Sequence, residues 1–579
     1  MNINKFWLKQ ANLLKWLKKP TIAFKDEKWF ENSKINIYEN CILKNLSKEK
    51  CNKIAISFYS LNKKNYKYSY SEINTLTNNL ENVLRKNKKL KKNSRILIHG
   101  SASIETSLSM LACAKMGIFN CVIFNELNKK SIDIRVKLFK PDIIITRAKD
   151  EEIKEKFSVN LRKKILIFNS LNSKLNLDQI SINDLKKTKK NNKNKLLYYK
   201  SRKDFFCLFT SGSTGEPKGI IHSYGGYLLY AVYTCKKFFG INSNSKILTA
   251  SDAGWINGHT YALYGPLSLG ATTIILESPL LILDIDFLKK ILLKEKITVL
   301  YLPVTLIRLL KEILNKQIKK NFIKVLGSMG EPLAPQVGSW FAKIFNYKNS
   351  IVNTYFQTET AGIITAPTHK DKPLILPHGS VGKISSLHGM IIDKKTNEIL
   401  LQNSWPGCMN SVINGKSFFK RYWNEKKYFR MFDLGIIKKK ALYVIGRTDD
   451  VINIRGHRIG SGEVESVLLK SNHVIEVSAI AIPDKITGNQ LVIFCKTRLN
   501  YESIKTIIHD NLAQYFGSYA IPKDIYIVKN LPKTRSGKIL RRLLRNLYLN
   551  PRSDKYGDLS TILNKKVVSE IQLILNKVK

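Results

Sequence analysis

No stretch of about 18 uncharged apolar residues occurs in the sequence, so there is no candidate for a membrane-spanning helix. The N-terminus (MNINKFWLKQANLLKWLKKP) is basic and amphipathic but lacks the apolar core and small-residue cleavage site of a secretory signal; an organellar leader is the alternative. The eight cysteines, at positions 41, 51, 113, 121, 207, 235, 408 and 495, contain no CxxC pair and no histidine spacing typical of zinc. Most lie in apolar runs such as Leu111 to Cys113, which predicts buried free thiols, no disulfides and a reducing, cytoplasmic setting. No internal repeat is evident, which excludes solenoids and propellers. Acidic residues are scarce: 44 Asp and Glu face 97 Lys and Arg, a formal charge of +53. Such an excess ordinarily concentrates polyanions. Here the lysines are dispersed among Asn and Ile, as in Lys187 to Lys195 (KTKKNNKNK), and no basic patch is interleaved with stacking aromatics. Biased composition accounts for the charge, and no nucleic-acid partner is expected.

What is present describes a globular, multidomain chain. Its 579 residues exceed one ordinary core, and 44% hydrophobic with 10% aromatic content rules out disorder for most of the length. From about residue 50 to 380, short apolar runs alternate with segments of helical period: Arg95 to His99, Ile104 to Met116, Cys121 to Phe124, Ile143 to Ile145. That rhythm predicts parallel sheets covered by helices, an α/β class. A Lys/Asn-rich stretch around Lys186 to Lys203 reads as a surface excursion. Near Asp433 to Asp450 the pattern changes to mixed strands and helices. The expected organisation is an N-terminal segment and cap (1–80), a large body (81–447) and a small C-terminal α+β domain (448–579) hinged near Asp449.

The chemistry concentrates in a few motifs. After the strand-like run Phe205 to Phe209 comes TSGSTGEPKG, Thr210 to Gly219. Its glycines Gly212 and Gly215 let backbone N–H groups turn toward an anion, Thr210, Ser211, Ser213 and Thr214 add hydroxyl donors, and Lys218 balances charge. GxxxxGK[ST] is absent, so this is not a Walker A loop. It suits a pyrophosphate leaving group. Downstream lie NTYFQTET (Asn353 to Thr360), YFRMFD (Tyr428 to Asp433), GRTDD (Gly446 to Asp450) and LPKTRSGK (Leu531 to Lys538).

These motifs, in this order and spacing, resemble the adenylate-forming superfamily of acyl-CoA synthetases, luciferases and peptide-synthetase adenylation domains. HSYGGY (His222 to Tyr227), SDAGWINGHT (Ser251 to Thr260), YGPLSLGATT (Tyr264 to Thr273), Trp29-Phe30 and MLACAKMG (Met110 to Gly117) are similar to the acetyl-coenzyme A synthetase branch, so the likeness spans nearly the whole chain.

The resemblance implies an AMP-forming ligase that uses ATP, Mg²⁺ and coenzyme A. Gly330, Glu331, Pro332 and Asn353, Thr354, Tyr355, Phe356, Gln357 and Thr358 would enclose adenine and the α-phosphate. Asp433 would accept from the ribose hydroxyls, Arg447 would hold ribose or phosphate oxygens, and Arg458 joins this set. Thr214 and Glu359 would supply magnesium-side oxygens. Lys538 would reach the carboxylate and α-phosphate as charge grows there. Asp449 would be the hinge between adenylation and thiol transfer.

Several departures bear on substrate and acceptor. The family's pocket-floor Trp is Phe356, a usual Val is Met329, and a usual Val-Thr pair is Ile256 and Asn257. Phe356 leaves more room, Met329 and Ile256 refill it, and Asn257 adds a carboxamide able to bond a polar substituent, so the acid is expected to be short but not necessarily acetate. On the thiol side Asn125 and Glu126 replace a glycine pair, and Arg455 precedes Gly456 where Ser is usual. Glu152 and Glu155 lie where CoA-gripping arginines are expected. Coenzyme A leads as acceptor; an amine or carrier-protein thiol, or a non-catalytic basic protein on this fold, stays open. Oligomeric state is not set by the sequence.

Overall fold

The computed structural model describes residues 2–91, 93–168, 175, 177–188, 195–211, 217–413, 415–424, 428–448, 451–454, 457–484, 488–534, 538–553, 556, 559 and 562–578. The body contains two large sheets. One has eight strands in the order Asp178–Ile180, Ile165–Phe168, Ile143–Thr146, Arg95–His99, Phe119–Ile123, Asp204–Ser211, Pro217–Ser223, Ser411–Ile413. It is parallel as far as Asp204–Ser211 and antiparallel beyond. The other has seven strands, Val352–Asn353, Val325–Met329, Val299–Pro303, Lys246–Thr249, Thr272–Leu276, Ile54–Tyr59, Asn65–Ser69, parallel except for the last. Near-continuous Val, Ile and Leu in these strands is what burial on both faces demands.

Helices Ile104–Met116 and Tyr224–Phe239 are apolar almost all round because they lie within the core. The second carries Tyr224 and Tyr227 against Phe205 at one end and Phe239 against Tyr301 of the seven-stranded sheet at the other. Gly117 ends the first helix at φ +61, and a Cβ there would fall 2.4 Å from the Tyr199 ring. The expected strand Cys121 to Phe124 is displaced slightly, to Phe119–Ile123. Near the N-terminus, helix Ile3–Gln10 buries Trp7 among Trp29, Tyr230 and Tyr233, so this basic segment is packed into the body.

A five-stranded antiparallel sheet around Tyr428–Lys438 and Ala441–Arg447 completes the body. The smaller C-terminal unit has its own five-stranded sheet built on the long pair Val474–Asp484 and Gly488–Thr497, with separate apolar clusters on its two faces. The class is thus α/β with a small α+β C-terminal domain. All eight cysteines are free thiols. Among the described residues no helix is long and apolar enough to cross a membrane.

Candidate active site

Strands Asp204–Ser211 and Pro217–Ser223 pair antiparallel in the eight-stranded sheet, with Thr210 opposite Lys218, so the two ends of the Ser/Gly motif lie side by side. Lys218 is buried, with its ammonium 5.9 Å from the Tyr422 ring centroid. Tyr422 donates its hydroxyl to Oε1 of Glu359, itself buried on the 3₁₀ turn Thr358–Thr360. Burial, then the Glu359 charge, raises the Tyr422 pKa, so it stays a donor. His222 fixes the turn from beneath: its Nε2 lies 2.8 Å from the Thr358 carbonyl, which can only accept. Burial lowers His222 to about 4, so it works as a neutral donor. The tyrosine was not singled out from sequence. Its 63-residue separation from Glu359 carries no local signal.

One turn away, Asp433 is buried and approached from several sides. Oδ2 accepts from the Tyr355 hydroxyl at 2.9 Å and from Gln357 Nε2 at 2.6 Å, and Oδ1 lies 3.6 Å from Arg447 Nη1. Gln357 also donates to the Met431 carbonyl at 2.6 Å, tying the two motifs together. Burial raises the Asp433 pKa; Arg447, the two donors and the charge of Lys538 oppose it. Lys538 is exposed at the edge of the C-terminal domain, with its own N–H donating to Thr534 Oγ1 at 3.1 Å. Tyr422 thus links Lys218 to Glu359 and feels the charge of Arg447, which pairs with Asp433, and the charge of Lys538 reaches Asp433 in turn.

Asn353 ends the edge strand Val352–Asn353 of the seven-stranded sheet and Thr354 follows it, but their side chains are engaged internally. Asn353 donates to the carbonyls of Gly379 and Ser380 and accepts from Ser328, while Thr354 donates to the Ser328 carbonyl and meets the Tyr301 hydroxyl at 2.7 Å. They hold the segment in place. Gly330, at φ +90 with no atom within 4 Å of a notional Cβ, leaves open space beside the strand end Val325–Met329. Glu331 and Pro332 follow it.

On the acyl side, Ile256 and Met329 are buried and Phe356 packs its edge on Tyr261 with centroids 5.7 Å apart. Among the described residues, Oδ1 of Asn257 and the indole N–H of Trp255 are buried without a hydrogen-bond partner. Phe124 packs at a tilt against Trp255 with ring centroids 5.0 Å apart, and the Asn125 carbonyl beyond it accepts from Lys156. Glu152 caps its own helix by accepting from the Lys149 N–H and lies 3.6 Å from Lys156, so its charge is locally offset.

Gly212, Ser213, Thr214 and Gly215 of the loop, Asp449, Arg455 and Gly456 lie outside the described residues. Ser211 and Arg458 belong to the strands Asp204–Ser211 and His457–Gly460. As to a magnesium ion, no cluster of three His, Cys, Asp or Glu side chains occurs among the described residues. A single buried carboxylate, Glu359, fits a cation held otherwise by phosphate oxygens and water.

Residues 43–423 match the AMP-binding enzyme family, and residues 463–538 match the AMP-binding enzyme C-terminal domain. The chain belongs to the AMP-binding enzyme family, the adenylate-forming class. Within it, the sequence is 32% identical to the acetyl-coenzyme A synthetase of Helicobacter pylori strain P12, over 95% of this chain and 88% of that protein. It is 31% identical to the acetyl-coenzyme A synthetase of Leptospira biflexa, over 98% and 93%. In fold it matches an acetoacetyl-CoA synthetase from Streptomyces lividans (TM-score 0.83, 14% identity, 100% of this chain and 93% of that one). It also matches the anthranilate CoA ligase AuaEII in complex with anthranoyl-AMP (TM-score 0.75, 18% identity, 88% and 97%).

Proposed function

We propose that the protein activates a short carboxylic acid with ATP and transfers the acyl group to coenzyme A, releasing pyrophosphate and AMP. The observation that carries this reading is the juxtaposition of Asp433 and Arg447 of the body with the charge of Lys538 from the C-terminal domain, beside Lys218 and Glu359, which both meet Tyr422. In the first step a carboxylate oxygen bonds to the α-phosphorus and the bond to pyrophosphate breaks. Lys538 offsets the charge that develops there. Asp433, held by Tyr355 and Gln357, receives the ribose; Lys218 and the Ser/Gly motif receive the departing phosphates. Magnesium, when bound beside Glu359 and Thr214, supplies further charge compensation. In the second step the thiol sulfur bonds to the acyl carbon and AMP leaves, after the C-terminal domain has turned about Asp449 to bring Arg455 and Gly456 forward.

Relatives named acetyl-coenzyme A synthetase support a small acid. The Met329, Ile256 and Phe356 walls agree with it, and the unpaired Asn257 oxygen favours an acid bearing a hydroxyl or amino group over a purely apolar one. The pairing of Glu152 with Lys156 offsets one of the two acidic charges that the sequence set against coenzyme A. The test is pyrophosphate exchange over acids of two to six carbons, with and without coenzyme A. Exchange that peaks on a short polar acid, with AMP formed as the thiol is consumed, is expected. Acetate with by far the best kcat/KM, or consumption of another acceptor only, would refute the finer part.

A further inference from the structure

The parallel strands Val299–Pro303 and Val325–Met329 end side by side. From the first springs the helix Val304–Ile313, carrying Arg308 and Glu312; from the second comes Glu331. Arg308 Nη1 holds Glu331 Oε2 at 2.9 Å, and the other carboxylate oxygen accepts the backbone N–H of Ile539 in the C-terminal domain at 3.1 Å. Both side chains of the Arg308–Glu331 pair are largely buried. Glu312, one turn along the helix, lies 3.6 Å from Lys496 of the C-terminal sheet.

Ile539 is no loose point of attachment. Its side chain is buried in the C-terminal core, and its backbone forms an isolated antiparallel bridge with Lys533, whose ammonium is paired with Glu476 in the interior. A hydrogen bond to the Ile539 amide thus fixes the whole hairpin against the body, and with it the preceding residue, Lys538. An oriented charge-assisted bond of this kind gives register as well as energy.

We propose that Arg308 and Glu331 form a latch that positions the Lys538 hairpin for adenylation, with Glu312 and Lys496 as its outer contact. Arg308 is a positioning residue: it orients the Glu331 carboxylate and touches no substrate. The inference rests on the adenylation reading above, and on no property of the loop 535–537. Because the latch joins the two domains only in this arrangement, its loss should slow the first half-reaction and leave the second unaffected.

The experiment compares ATP–pyrophosphate exchange with thioester formation from preformed acyl adenylate and coenzyme A. Arg308→Leu should lower kcat for exchange about tenfold, with the second half-reaction within about twofold of the unaltered enzyme and Arg308→Lys recovering part of the loss. Equal losses in both half-reactions, or none, would overturn the latch. Should Arg308→Leu fail to fold, Glu312→Lys and Lys496→Glu decide the matter: each alone should slow exchange about two- to threefold and together restore it. Failure of that restoration would overturn the proposal equally. An unaltered enzyme that exchanges pyrophosphate with no acid would instead sink the adenylation reading itself.

Discussion

The surroundings of Asp433 and those of Asn257 treat buried polar groups in opposite ways. Around Asp433 the surroundings offer hydrogen bonds before any nucleotide arrives: Tyr355 and Gln357 donate to one oxygen and Arg447 faces the other. Around Asn257 and Trp255, an acceptor and a donor are buried with no partner among the described residues. A satisfied network is rigid and specifies one geometry, whereas an unpaired buried atom costs stability until a ligand completes it. Under the proposed function, the nucleotide end is preorganised for one ligand, and the acyl end discriminates among acids by what they supply to Asn257.

The largest expected effect tests whether the nucleotide end is the reactive one. Lys538→Ala should reduce pyrophosphate exchange by a factor on the order of 10² to 10³ while transfer from preformed acyl adenylate survives. Normal exchange in that variant would remove the assignment of Lys538.

Next, Asp433→Asn should raise KM for ATP about tenfold to a hundredfold, from the loss of a charged acceptor. It should also melt at a higher temperature at neutral pH. The sign follows from the raised folded-state pKa of Asp433, caused first by burial. The stabilising contribution of such a group is present below its unfolded pKa and lost as pH rises through its folded value, so ionised Asp433 opposes folding. A lower melting temperature would mean that its hydrogen bonds outweigh its desolvation.

A smaller effect sharpens the acyl side. Asn257→Val should shift the kcat/KM ratio between hydroxylated and unsubstituted short acids about tenfold toward the unsubstituted ones. An unchanged ratio would mean that Asn257 does not face the acid. The smallest is the displacement of a pH profile. Loss of activity on acidification should track Asp433 above the ordinary aspartate value of 3.8, and Arg447→Gln should move that limb to still higher pH, because Arg447 favours the ionised form.

Much of the fold was legible because strand and helix periodicities are local. Arg95–His99 and Ile104–Met116 stand where the apolar runs put them. The antiparallel pairing of the strands on either side of the Ser/Gly motif was not legible, since a strand reads alike whether its next partner is parallel or antiparallel. Lys218, Glu359, Asp433, Arg447 and Lys538 were found because they sit in short ordered motifs. Tyr422, Arg308, Glu312 and the Ile539 amide were missed because each acts through a partner dozens of residues away or through its backbone.

By itself the sequence determined the class of the protein and named its candidate reactive groups, because motif chemistry depends on residue type and spacing along a single segment. Only the tertiary structure decided which of those groups are free to act. It bound Asn353 and Thr354 into the scaffold, paired Glu152 away from the thiol side and left the Asn257 oxygen open. Whether a polar side chain is satisfied depends on atoms brought from distant parts of the chain, and that is settled only when the two sheets and the C-terminal domain have packed together.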